Sequence, residues 1–129
     1  MYQKTDKGKI YMSELLKKSL VNSNELETLL REREEGKVDF ILVDVREPME
    51  YNMQHIKGVD MLKPTSTFQS WGEDFFNENR DKTVIFTCRT DHRSGNVQRV
   101  FQQNGMQNVI NHSGGIVSYR GEVVREKLQ

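Results

Sequence analysis

Only one of the 129 residues is a cysteine, Cys88, so no disulfide can close within the chain. The same scarcity excludes zinc and iron–sulfur sites that need several cysteines of one chain. A lone thiol agrees with a reducing compartment. No run approaches the ~20 apolar residues that cross a bilayer, so no membrane association is expected. The first ten residues, Met1 to Ile10, are polar and lack the apolar segment of a secretory signal, and a cytoplasmic location is expected. Charge of one sign is also missing: nineteen basic and nineteen acidic residues cancel. Such a chain presents no global field to nucleic acid or to an anionic surface, and any anion site must be local.

What is present fits one domain with one core. Residues 1–20 read as an N-terminal extension ahead of a domain over 21–129. Its apolar cluster of Ile10, Tyr11, Met12, Leu15, Leu16 and Leu20 suits a short helix packed on that domain. Asn22 or Ser23 then caps a helix, and Glu25 completes a capping box with Asn22. Leu26, Leu29 and Leu30 form its apolar stripe, and Gly36 stops it.

Val38 to Val45 (VDFILVDV) is short, apolar and β-branched, the pattern of a strand covered on both faces. Pro48 opens a short helix carrying Met49, Tyr51 and Met53. His55-Ile56-Lys57-Gly58 ends it, and Val59 to Leu62 is a brief strand. Ser66 and Gln69 suggest a second capping box, before Phe68, Trp71 and Phe75 at i, i+3 and i+7. Thr83 to Thr87 is a second buried strand with Cys88 at its carboxyl end. A polar loop, Arg89 to Arg93, leads into a helix with Val97, Val100 and Phe101 inward, stopped at Asn104-Gly105. Asn108 to Asn111 is a third strand, and Gly114-Gly115 opens a final turn around Ile116 to Tyr119. This alternation predicts an α/β fold, with a central, mostly parallel sheet and helices on both faces. In such sheets, ligands bind beyond the carboxyl ends of the strands, where Asp44 and Cys88 fall.

The stretch Cys88-Arg89-Thr90-Asp91-His92-Arg93-Ser94 joins a strand end to a helix start. Successive backbone N–H groups can turn into such a loop, and the helix N-terminus adds partial positive charge. Arg89 and Arg93 add full charges and His92 offers another. That field favours a thiolate able to attack sulfur, placed where an anionic substrate binds. A cysteine followed by so many polar residues is poorly explained as core filler.

Several of these segments, in this order, resemble the rhodanese family of sulfurtransferases. The loop residues Cys88-Arg89-Thr90 and Arg93-Ser94 resemble its active-site loop. Leu42-Val43-Asp44-Val45-Arg46-Glu47 followed by Glu50-Tyr51 resembles its first strand-and-turn motif. His55-Ile56-Lys57-Gly58 matches its His-Ile-x-Gly, and Gly114-Gly115 with Tyr119 resembles its closing motif. The resemblance runs from about Ser23 to Val124. It implies a rhodanese-like fold and a Cys88 persulfide. Sulfane sulfur would pass from thiosulfate or a persulfide donor to cyanide, a thiol or a protein acceptor, in two covalent half-steps. The loop Arg89, Thr90, Asp91, His92, Arg93 and Ser94 would bind substrate, with loop amides acting as an oxyanion hole does. Asp44, Arg46 and His55 would support it.

This chain departs from the family at three places. Asp91 stands where many members have glycine, and aspartate tolerates a left-handed backbone better than most residues. Tyr119 replaces the usual tryptophan, and Gln54 a frequent glycine. Arg46 either reaches the loop or pairs with Asp44, Glu47 or Glu50 to hold the turn. His55 reads as a hydrogen-bonded turn residue, and His92 as an anion aid, a proton carrier or a plain exposed side chain. No ligand spacing supports a zinc site from Cys88 with His55, His92 or His112, and no cofactor is implied.

Two other functions compete. The rhodanese fold is shared by the cell-cycle dual-specificity phosphatases, but cysteine phosphatases place their arginine after five intervening residues. Here four, Arg89 to His92, separate Cys88 from Arg93, a tighter loop that suits sulfur. The other rival is a non-enzymatic binding or sulfur-carrier module. The expected partners are a small anionic donor and a thiol or protein acceptor, on a monomer or homodimer.

Overall fold

The computed structural model describes residues 13–125. Ile10, Tyr11 and Met12 of the predicted apolar cluster lie outside the described residues. Among the described residues, seven strands are interspersed with four α-helices. The strands are Leu20–Val21 (β1), Ile41–Asp44 (β2), His55–Ile56 (β3), Met61–Leu62 (β4), Val84–Thr87 (β5), Val109–His112 (β6) and Val123–Val124 (β7). The helices are Ser23–Glu34 (α1), Pro48–Met53 (α2), Phe68–Asn79 (α3) and His92–Gln103 (α4).

Five strands form one parallel sheet in the order β1-β6-β5-β2-β4. Successive side chains on a strand point to opposite faces, and here both faces are apolar. Leu42, Ile85 and Ile110 join Leu26 and Leu29 of α1 in one core layer. Val43, Val84, Phe86 and Val109 join Trp71 and Phe75 of α3 and Val97 and Phe101 of α4 in the other. This is the α/β architecture with helices on both faces that the alternation predicts. It explains why β2 and β5 are apolar without a polar alternate. The pair β3–β7 is antiparallel and separate.

Local chemistry sets most boundaries. Asn22 Oδ1 accepts from Glu25 N–H at 2.8 Å, and Glu25 Oε1 accepts from Asn22 N–H at 2.9 Å, which completes the box at the start of α1. Lys18, 2.6 Å from Glu25, and the Asn22 backbone hold that carboxyl below its usual range. Trp71 and Phe75 give α3 its buried aromatic face, with Phe68 partly covered.

Other expectations are corrected. The strand predicted over Val38 to Val45 pairs only through Ile41–Asp44, while Val38 and Phe40 are buried without belonging to it. His55-Ile56 does not merely end α2 but pairs as β3 with β7. Ser66 caps no helix: its hydroxyl donates to Glu47 Oε1 at 2.7 Å, and a 3-10 turn over Thr65–Thr67 delays α3 to Phe68. Val100 faces out, 39% exposed, because the buried stripe of α4 runs Ser94, Val97, Gln98, Phe101. Residues 13–20, read as part of an extension, form a 3-10 turn at Glu14–Lys17 that buries Leu16, and then enter β1.

Candidate active site

Cys88 follows directly on β5, at the carboxyl edge of the sheet. Residues 89–91 alone bridge it to α4, so His92 and Arg93 belong to the first helical turn rather than to a loop. The chain must reverse within those few residues, which curls the backbone around the cysteine. Cys88 is 1% exposed. Its Sγ accepts the Ser94 N–H at 3.4 Å, and the Ser94 hydroxyl lies 3.2 Å away. The Ser94 hydroxyl is also 3.3 Å from the Asp91 carbonyl, so its single proton has two acceptors within reach.

The turn after β6 braces the loop from outside. Ile116 N–H donates to the Cys88 carbonyl at 2.9 Å and Val117 N–H to the Arg89 carbonyl at 3.1 Å. In a trans peptide the N–H points opposite to the C=O. The N–H groups of Arg89 and Thr90 are therefore aimed away from the closing turn. Among the described residues, none accepts a hydrogen bond from the N–H groups of residues 89–93. Gly115 makes this contact possible. At φ 63° a Cβ there would stand 2.4 Å from the Arg89 carbonyl oxygen and 2.6 Å from Thr90 N.

The predicted site residues divide sharply. Arg89, Thr90, Asp91 and His92 are exposed, and among the described residues their side chains make no hydrogen bond or ion pair. Asp91 has φ 177°, so it occupies no left-handed position and carries no strain of that kind. Arg93 turns instead to α2, where Glu50 takes both of its terminal nitrogens at 2.8 and 2.9 Å. That bond outweighs the opposing effect of burial and pulls the Glu50 carboxyl down to about 2. It also raises Arg93, with attraction from Cys88 and Asp44 adding to the effect.

Among the described residues, Asp44, Arg46 and His55 make no hydrogen bond to Cys88 or to residues 89–94. Asp44 neighbours Thr87 across the β2–β5 ladder. It accepts from Arg46 N, Nε and Nη2 at 2.8–3.0 Å, and Arg46 Nη2 also donates to the Gln54 carbonyl at 2.7 Å. Of the two roles open to Arg46, the structure shows the pairing that holds the turn. His55 stacks on Tyr51 with ring centroids 3.7 Å apart, and its Nδ1 lies 2.9 Å from the Tyr51 carbonyl.

Sequence reasoning missed two features. One is the role of Glu50 as partner of Arg93. The other is a buried chain of polar groups under the closing turn. His112 Nδ1 lies 2.8 Å from Thr87 Oγ1 and its Nε2 2.8 Å from Ser23 Oγ, which is 2.6 Å from Ser118 Oγ. Ser118 in turn donates to the Gly115 carbonyl at 3.0 Å. Burial drives the His112 ring down to about 4. Among the described residues, no group of three His, Cys, Asp or Glu side chains could hold a metal.

Comparison with known proteins agrees with this fold. The chain matches the rhodanese-like domain over residues 25–122. It belongs to the rhodanese-like family. Among curated relatives it is 32% identical to the probable adenylyltransferase/sulfurtransferase MoeZ of Mycobacterium tuberculosis, over 60% of this chain and 19% of that protein. It is 29% identical to the putative sulfurtransferase YtwF of Bacillus subtilis, over 72% of this chain and 85% of that one. The chain thus spans about a fifth of MoeZ. A rhodanese-related protein from Thermoplasma volcanium shares the fold at TM-score 0.69 and 24% identity, covering 84% of this chain and 100% of that one. Among the described residues, no helix is long and apolar enough to cross a membrane.

Proposed function

We propose that this protein is a sulfurtransferase in which Cys88 carries a sulfane sulfur as a persulfide. The observation that carries this reading is the setting of the sulfur. It accepts the Ser94 N–H from the first turn of α4, and the amides of residues 89–93 that lead to that turn have no acceptor among the described residues. Such amides stabilise negative charge on a sulfur more than on a neutral thiol. The Cys88 thiolate attacks the outer sulfur of a donor. With thiosulfate, a new S–S bond forms to Cys88, the donor S–S bond breaks, and sulfite leaves with the electron pair. A thiol, a protein acceptor or cyanide then attacks the terminal sulfur and returns the thiolate. The family and the sulfurtransferase names of MoeZ and YtwF support the reaction class.

A phosphatase reading finds less support. Four residues separate Cys88 from Arg93, and the Arg93 guanidinium is turned to Glu50 rather than into the loop.

Intact mass spectrometry after incubation with thiosulfate or glutathione persulfide tests the proposal. Wild type gains one sulfur, which cyanide or a thiol removes. Cys88→Ser folds, gains none, and loses essentially all thiocyanate production. Turnover above about a hundredth of wild type in a well-folded Cys88→Ser protein overturns the covalent mechanism, since removing a nucleophile costs orders of magnitude.

A further inference from the structure

Two pairs of opposite charges near Cys88 are joined as ion pairs. Asp44 faces Arg46 at 2.8 Å, and Glu50 faces Arg93 at 2.8 Å. In the loop, Arg89 and Asp91 carry opposite charges on exposed side chains. Arg93 is raised mainly by its bond to Glu50, with attraction from Cys88 a smaller contribution, and both of its terminal nitrogens are engaged by Glu50. Glu50 is itself held in place. The Glu47 N–H donates to its Oε1 at 2.9 Å, within the capping box of α2. With its carboxyl near 2, Glu50 stays ionised across the neutral range. A guanidinium fork committed to one carboxylate cannot also clamp a sulfonate-like group in the same geometry.

We propose that Glu50 determines donor specificity. By holding Arg93 it withdraws that guanidinium from the mouth of the Cys88 loop, where Arg89 is opposed by the charge of Asp91. The site then takes sulfur from a persulfide on a thiol rather than from thiosulfate. This rests on the sulfurtransferase reading above. Thiosulfate arrives as a dianion, and its leaving group, sulfite, also carries two charges. A persulfide R–S–S–H needs no such clamp. The Cys88 thiolate forms a bond to the outer sulfur, the S–S bond of the donor breaks, and its electron pair leaves on R–S⁻. The proton stays on the transferred sulfur, and no oxidant or reductant is consumed.

The test measures kcat/KM for thiosulfate and for glutathione persulfide side by side in wild type, Glu50→Gln, Arg93→Gln and the double variant. Glutamine keeps an oxygen for the Glu47 N–H and removes the charge. Wild type is expected to favour the persulfide. Glu50→Gln is expected to raise the thiosulfate-to-persulfide ratio about tenfold, as one freed charge-assisted contact does. Adding Arg93→Gln is expected to cancel that gain, and Arg93→Gln alone is expected not to raise the ratio. A role of Glu50 in loop structure alone would instead change both donors together. Should Glu50→Gln fail to fold, Glu50→Asp replaces it, because the shorter carboxylate cannot reach both guanidinium nitrogens. A ratio that stays within about twofold of wild type in a folded Glu50 variant overturns the proposal while Cys88-dependent transfer persists. Absence of any sulfur gain on wild-type Cys88 overturns the sulfurtransferase reading instead, and the mass spectrum of the wild type alone reports it.

Discussion

His112 is fully buried, and both ring nitrogens face hydroxyl groups. If Ser118 donates to the Gly115 carbonyl, the remaining protons fall into one order. Ser23 donates to Ser118, His112 Nε2 donates to Ser23, and Thr87 donates to Nδ1. A second proton on the ring would break that order as well as bury a charge. Burial takes the ring from an ordinary 6.5 to about 4. Below pH 6.5 the unfolded chain takes up the proton first. Stability is thus full above that value and falls as pH drops toward 4. Wild type should lose about 2 kcal/mol more than His112→Leu between pH 7 and pH 4.5 in urea unfolding. Glu50 does not confuse this window, because its stabilising charge is lost only as pH falls from the ordinary carboxyl range toward 2. Equal losses in the two proteins would refute the linkage. The contrast with Cys88 shows what is legible at this scale. Cys88 is marked by its neighbours in sequence, whereas the partners of His112 lie 25 and 89 residues away.

Elements were legible where a local signal had no rival. The Asn22–Glu25 box marks α1 because both halves of the motif act on the same helix end. Ser66 misleads because Glu47, nineteen residues upstream, claims its hydroxyl. Val38–Val45 reads too long because Val38, Phe40 and Val45, which flank β2, are buried although they lie outside it. The closing turn is a different case. Gly114-Gly115 is visible in sequence, but its contact with the peptides of Cys88 and Arg89 is not. That contact makes Gly115→Ala a sharp test. The new Cβ would meet backbone atoms of Arg89 that cannot move aside, at a φ that L residues disfavour. The expected cost is about 3 kcal/mol, from overpacking plus left-handed strain. Sulfur transfer should fall at least about tenfold at temperatures where the variant remains folded, since the loop must shift. Gly36→Ala is the control. Its φ is also positive, but nothing lies within 4 Å, and the cost should stay near 1 kcal/mol with activity intact. Equal effects of the two substitutions on denaturant midpoint and rate would show that the closing turn does not brace the loop.

At the scale of the whole molecule, alternating apolar segments define layers but not strand order. The two-faced burial of β2 and β5 was readable, and it implies a parallel sheet covered by helices. That β1 completes the sheet was not readable, because Leu20–Val21 is too short to show a period and lies beside charged residues. Its role is nonetheless structural. The Ser19 carbonyl accepts from Asn111 N–H at 2.9 Å and from Gln98 Nε2 at 2.8 Å, and the Val21 carbonyl accepts from Ser113 N–H at 2.8 Å. Leu16 and Val21 are buried in the layer beneath α1. A chain shortened to begin at Asn22 keeps Cys88, Glu50 and the capping box but uncovers the edge of β6. Losing two buried aliphatic side chains should cost about 3–5 kcal/mol in equilibrium unfolding. The freed edge should also promote self-association, visible by light scattering as concentration rises. Because β6 leads directly into the turn that braces the Cys88 loop, the loss should reach the site as well. Sulfur transfer per folded molecule is expected to fall, and restoring residues 13–21 should recover it. A shortened chain that is monomeric, equally stable and fully active would show that β1 is an ornament on a sheet already complete without it.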